Sequence, residues 1–222
     1  DGAPRHDFGK DIFPRLIEVA DVGAHTFEGY WQDIGTVESF YESNMKLLDP
    51  HHSLKFARPS WPIRTPSPEA PPARVWGRGV IRRSLAANGA VVRGKVENSI
   101  LFPGVIVDEG AVVRDSILMN DAHVHANASV TRAILDKRAH AGTESHIGGL
   151  GAGAPSEAIP EILVSGITLL GKDVQVGDGA QIGRNCCIGA KQEIEPGALL
   201  PDGAYREGRL GRPRASARPA AL

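Results

Sequence analysis

Residues 170–201 read LGKDVQVGDGAQIGRNCCIGAKQEIEPGALLP, and in this stretch Leu170, Val176, Ile182, Ile188, Ile194 and Leu200 recur every six residues without a slip. Gly171, Gly177, Gly183, Gly189 and Pro201 follow five of them, and Thr168, Val174, Ala180, Cys186, Gln192 and Ala198 stand two positions before. A helix needs a period of 3.6 and a simple sheet a period of 2, so neither produces this spacing. A solenoid does. If each hexad is a short strand plus a turn, the aliphatic side chain points inward, the glycine relieves crowding or φ strain at the corner, and three hexads close one triangular coil.

The same architecture extends upstream with a different count. Asn98-Ser99-Ile100-Leu101, Asp115-Ser116-Ile117-Leu118 and Arg132-Ala133-Ile134-Leu135 are spaced by seventeen, as are Val96, Val113 and Val130, and Val107, Val124 and Ala141. Seventeen reads as six plus six plus five, one coil with a shortened side. The two arrays, roughly 78–147 and 163–205, are therefore parts of one β-helix whose stacked coils pair at a spacing of ~4.8 Å and are stable only against their neighbours. Gly148 to Pro155, with four glycines, is expected to be an excursion from the coil. Ala141 stands where a large aliphatic residue is expected, which predicts a locally thin core.

The chain has 222 residues, 25 basic against 26 acidic, so bulk charge points to neither nucleic acid nor a membrane surface. No apolar run reaches membrane-spanning length and no apolar signal segment opens the chain, which predicts a cytoplasmic protein. The two cysteines, Cys186 and Cys187, are adjacent and must face opposite sides of a strand, so they are expected to be unpaired. The first sixty residues differ in character. Asp11–Ala20 reads as a short helix started by Pro14, Val22–Glu28 as a strand, and Thr36 as the cap of a helix carrying Phe40, Tyr41, Met45 and Leu48; Ser39 stands where a capping box prefers Glu or Gln. Pro59–Pro72 holds six of the sixteen prolines and is expected to be extended.

Asp7-Phe8-Gly9-Lys10-Asp11-Ile12, Gly29-Tyr30-Trp31-Gln32-Asp33-Ile34-Gly35-Thr36, Glu38 to Leu48, Pro62-Ile63-Arg64-Thr65 and Ala133-Ile134-Leu135-Asp136-Lys137 together resemble the carboxyl-terminal half of ADP-glucose pyrophosphorylase, that is, glucose-1-phosphate adenylyltransferase. The resemblance covers nearly everything from Asp7 to about Gly208, and Trp31-x-Asp33-x-Gly35-Thr36 alone is shared by many sugar-nucleotide transferases. It implies a mainly β protein, a left-handed parallel β-helix of hexapeptide repeats preceded by the C-terminal remnant of an α/β nucleotidyltransferase domain. The expected boundaries are 1–58 for that remnant, 59–76 for a proline-rich linker, 77–207 for the β-helix and 208–222 for a disordered tail.

The resemblance implies a reaction in which glucose 1-phosphate attacks the α-phosphate of ATP, releasing pyrophosphate and making the glucosyl donor for glycogen or starch. Two phosphate groups brought together concentrate negative charge, and the implied cofactor is Mg²⁺. Asp33 is then its ligand, Asp7, Phe8 and Trp31 line the glucose 1-phosphate pocket, and Lys137 senses anionic metabolite effectors. Read without the resemblance, Asp33 braces a turn, Asp7 caps a helix, Trp31 is core and Lys137 is solvated. The family also implies a homo-oligomer, a tetramer, with no nucleic-acid or membrane partner.

The family's glycine-rich nucleotide loop, second magnesium carboxylate and phosphate-holding lysine have no match in these residues, so the 222 residues are expected to be inactive alone, as a truncated product or one piece of a split protein. Two other readings belong beside this one. A hexapeptide-repeat acyltransferase would use a histidine base, with His123, His125, His140 and His146 as candidates. A non-catalytic regulatory or oligomerisation subunit of the same family would use the β-helix alone, whose end coils must be capped or must associate.

Overall fold

The computed structural model describes residues 7–51 and 69–208; the proline-rich stretch up to 68 and the tail from 209 lie outside the described residues. The chain divides after Trp31 into two compact units.

In the first unit, Asp7 accepts the Lys10 N–H at 2.8 Å and opens a wide helical turn, Phe8–Ile12, that runs into α1, Phe13–Val19. Pro14 sits in the first turn of α1, where its missing N–H costs nothing. Val22–Glu28 forms no strand, contrary to the sequence expectation. A strand needs a neighbour to take its backbone groups, and these residues have none in a sheet.

The second unit is a three-sided parallel β-helix. Each side is a seven-stranded sheet of two- or three-residue strands. The first side runs from Arg74–Val75 through Ile106–Val107, His123–Val124 and His140–Ala141 to Glu193–Ile194. The first strand thus falls inside the segment read as linker. The second side runs from Val80–Arg82 to Leu199–Leu200, and the third from Leu85–Ala86 to Tyr205–Arg206. Registers step by 17 between Ile106, His123 and His140, and by 18 between Gln175 and Glu193. Hexads and heptadecads therefore continue one another, as the spacing required.

All six residues of the hexad series are buried, none more than 7 % exposed, and they join Val92 to Val130 in one core running up the prism. Burial of each such side chain stabilises by about 1.5–3 kcal/mol. Ala141 is fully buried between its register partners Val124 and Val176. Cys186 faces this core, Cys187 faces outward against the third side, and both are free thiols.

The corners divide labour between two positions. Gly171, Gly177 and Gly183 have ordinary φ, but an added Cβ would stand 2.7, 2.5 and 2.6 Å from the backbone nitrogens of Ala190, Pro196 and Asp202 in the next coil. Crowding, not φ, selects glycine there. Positive φ falls two residues later, at Asp173, Gly179, Asn185, Lys191, Gly197 and Gly203, again every six residues. The upstream serines have a different duty: Ser84, Ser99 and Ser116 each accept the N–H of the residue one coil on, at 3.0–3.1 Å, forming a hydrogen-bond ladder along one edge.

Residues 149–167 leave the coil between His146–Gly148 and Thr168–Leu170 and fold back on it. Asn185, fully buried, donates to the carbonyls of Ala152 and Ala154 at 2.5 and 2.8 Å and accepts the Gly166 N–H at 2.7 Å. Arg184 joins Asp202 to the Leu150 carbonyl. Leu163 and Ile167 are buried beside Ile117 and Ile134.

Candidate functional site

Helix α2, Val37–Met45, is capped by Thr36, whose Oγ1 accepts the Ser39 N–H while Ser39 Oγ accepts the Thr36 N–H, both at 3.1 Å. Serine completes the reciprocal box that Glu or Gln usually makes. Just before the cap, Asp33 Oδ1 accepts the Gly35 N–H at 3.1 Å, so this exposed carboxylate is held in a defined turn. The helix is bound to the outside of the third sheet through Tyr41, 6 % exposed, which packs with Ile117, Ile134 and Cys187. Between them lies an apolar cleft of about 570 Å³ lined by Ile34, Thr36, Phe40, Met119, Leu169 and Tyr205. The segment bearing Asp33 is thereby part of the same compact unit as the β-helix.

Asp7, Phe8 and Trp31 belong to the first unit. Phe8 packs against Phe13 with ring centroids 5.8 Å apart, and both Phe8 and Trp31 are mostly exposed. Asp7 acts as the helix cap in the structure. A carboxylate has about four acceptor sites, so capping leaves capacity for other donors. Lys137 is exposed at a corner of the coil, its carbonyl accepting the Asp173 N–H at 3.0 Å.

The structure brings together three of the four histidines named in the sequence. His123 and His125 flank the inward Val124, and His140 lies beside His123 in the next coil. His125 Nε2 is 3.4 Å from His140 Nδ1, and Asp108 Oδ2 is 2.6 Å from His123 Nε2. Burial first, and His123 second, push the pKa of His125 and of His140 below the ordinary value. His146 stands apart, its Nδ1 2.7 Å from Ser129 Oγ. Sequence reading had the four as separate candidate bases; the spacing of seventeen between His123 and His140 and the i, i+2 pair were the signal for a cluster.

Two known families match separate stretches of the chain. The Nucleotidyl transferase family model matches residues 1–50, and the model for the GlmU-like, C-terminal hexapeptide matches 71–151. Among curated proteins, the glucose-1-phosphate adenylyltransferase of Thermomicrobium roseum is 45% identical over 200 residues, 89% of this chain and 47% of that protein. The chain is a relative of the glucose-1-phosphate adenylyltransferases. The enzymes of that name from Acetivibrio thermocellus and Fervidobacterium nodosum are 39% and 35% identical over 82% and 92% of this chain, and 43% and 49% of their own. The chain thus spans about half the length of the glucose-1-phosphate adenylyltransferases it matches. Among the described residues no helix is long and apolar enough to cross a membrane.

Proposed function

We propose that this chain serves glucose-1-phosphate adenylyl transfer, in which glucose 1-phosphate and ATP give ADP-glucose and pyrophosphate for glycogen or starch synthesis. The observation that carries the reading is that three relatives of that one name, 35–45% identical, align across both the nucleotidyltransferase remnant and the β-helix.

The site chemistry supports it. Attack of one phosphate oxygen on another phosphorus builds charge that must be neutralised and held in line. Asp33 offers a hard carboxylate oxygen, exposed and oriented by the Gly35 N–H, which fits Mg²⁺, an ion that takes one or two carboxylates and completes its shell with phosphates and water. Bound there, Mg²⁺ would supply that neutralisation. In this reading Asp7 accepts hydrogen bonds from the sugar hydroxyls, and the rings of Phe8 and Trp31 cover the apolar face of the sugar. Lys137, exposed at a coil corner, is assigned to an anionic effector, and the β-helix to subunit contacts of a homo-oligomer.

The test supplies a complete enzyme, in which these residues are joined to a nucleotide-binding half, with glucose 1-phosphate, Mg²⁺ and each nucleoside triphosphate in turn and follows pyrophosphate release; the 222 residues alone should release none. ADP-glucose formed with ATP is expected. Turnover with UTP or GTP but not ATP, or coenzyme A-dependent acyl transfer in its place, overturns the reading.

A further inference from the structure

The first face of the β-helix gathers three imidazoles and a carboxylate away from Asp33 and its helix. His123 and His125 are on the outer surface because Val124 between them is fully buried, and parallel register sets His140 directly beside His123. The rings of His123 and His125 stack with centroids 3.8 Å apart, and each lies 5.6 Å from the ring of His140. One ring nitrogen from each of the three falls within 4.8 Å of the others. Asp108 stands one coil earlier at the position equivalent to His125.

A stack of imidazoles is a costly way to fill a coil face. Protonated, the rings repel one another. Neutral, each ring carries one lone pair, and a single N–H between two rings satisfies only one of them. The Nε2 to Nδ1 distance of 3.4 Å between His125 and His140 is the edge of a tetrahedron with metal–nitrogen bonds of about 2.1 Å. Asp108 is placed to orient, not to ligate: Oδ1 accepts from Arg93 at 2.8 Å and Oδ2 faces His123 Nε2 at 2.6 Å. A carboxylate on the far nitrogen of a ligating histidine fixes its tautomer and ring angle.

We propose that His123, His125 and His140 form a binding site for a divalent transition-metal ion of the Zn²⁺ type, with Asp108 holding His123 in position. Three neutral imidazoles select zinc, nickel, copper or cobalt over magnesium, which prefers oxygen. Three protein ligands leave a fourth position for water or an external group. The ion ties two successive coils together across sheet register. This site is separate from the one assigned to Mg²⁺, and its test does not depend on adenylyl transfer.

The experiment is calorimetric titration of Zn²⁺ into the untagged protein in excess Mg²⁺, paired with Co²⁺ absorption. One saturable equivalent that magnesium does not displace, with visible Co²⁺ bands of tetrahedral intensity, is expected. His125→Gln and His140→Gln each weaken binding at least about 100-fold and abolish those bands, while Asp108→Asn weakens it about 10- to 100-fold and keeps them. All these side chains lie outside the core, so the variants keep the parent circular dichroism. No saturable site, or a site unchanged in both histidine variants, overturns the proposal.

Discussion

Tyr41 on α2 donates a 2.7 Å hydrogen bond to the carbonyl of Asp115 on the β-helix, and Arg132 lies 5.4 Å from its ring. This one side chain couples the helix that follows Asp33 to the solenoid wall. Tyr41→Phe should cost about 1 kcal/mol, the net worth of a hydrogen bond, whereas Tyr41→Ala should cost about 3–5 kcal/mol through the cavity it leaves. Denaturant unfolding checks both. A Tyr41→Phe variant as damaged as Tyr41→Ala would show that the hydroxyl, not the ring, holds the helix.

The same residue sets an alkaline limit. Burial pushes the Tyr41 hydroxyl from 10.0 to about 12. Its folded pKa is raised, so the associated stability is fully present below pH 10 and is lost as pH rises through about 12. Ultraviolet titration should show one phenol ionising in that window together with loss of structure, and the Tyr41→Phe protein should lose that late phase.

Corner glycines should separate into two classes. Gly183→Ala places a methyl group against the Asp202 backbone and should destabilise by about 1–3 kcal/mol. Gly179, with φ +66 and open space around its Cβ direction, should accept asparagine within about 0.5 kcal/mol, because asparagine tolerates the left-handed region. Equal melting-temperature losses would contradict the division between crowded and left-handed corners.

Asn185 anchors the excursion. Asn185→Ala removes three hydrogen bonds in a fully buried place and should cost about 3 kcal/mol. Limited proteolysis should then cut within 149–165 faster than in the parent. Acid should have a related effect. Hydrogen bonds from Arg184 hold the Asp202 carboxyl below its usual pKa, so the stability it adds is present above the ordinary carboxylate range and is lost as pH falls through the lowered value.

The sequence carried the solenoid because Leu170 to Leu200 repeat at a distance that neither a helix nor a simple sheet produces, and the register has both periods. The role of Gly171 and its equivalents stayed ambiguous between crowding and φ, since both demand glycine and only the neighbouring coil decides. Val22–Glu28 forms no strand because residue type alone does not show whether a partner strand exists. Leu163 and Ile167 fall inside the array expected from 163, but the excursion runs on to 167 and the next coil strand starts at Thr168, so these two side chains pack on the outer cluster instead of in the prism core. The reciprocal cap of Thr36 and Ser39 was half seen, since serine is a less usual partner there. The role proposed for Asp33 rests on family resemblance, because one carboxylate before a capped helix also fits a plain turn. The histidines were each visible, but their convergence needed the coil stacking.

The most direct measurement is steady-state ADP-glucose synthesis by the complete enzyme, these residues joined to a nucleotide-binding half, carrying Asp33→Asn, alongside its melting temperature. Asparagine keeps the oxygen that accepts the Gly35 N–H, so the turn survives while the charge is removed. The account predicts an unchanged melting temperature and a kcat lower by about 100-fold or more, with a raised Mg²⁺ requirement. Full activity at ordinary Mg²⁺ would contradict it.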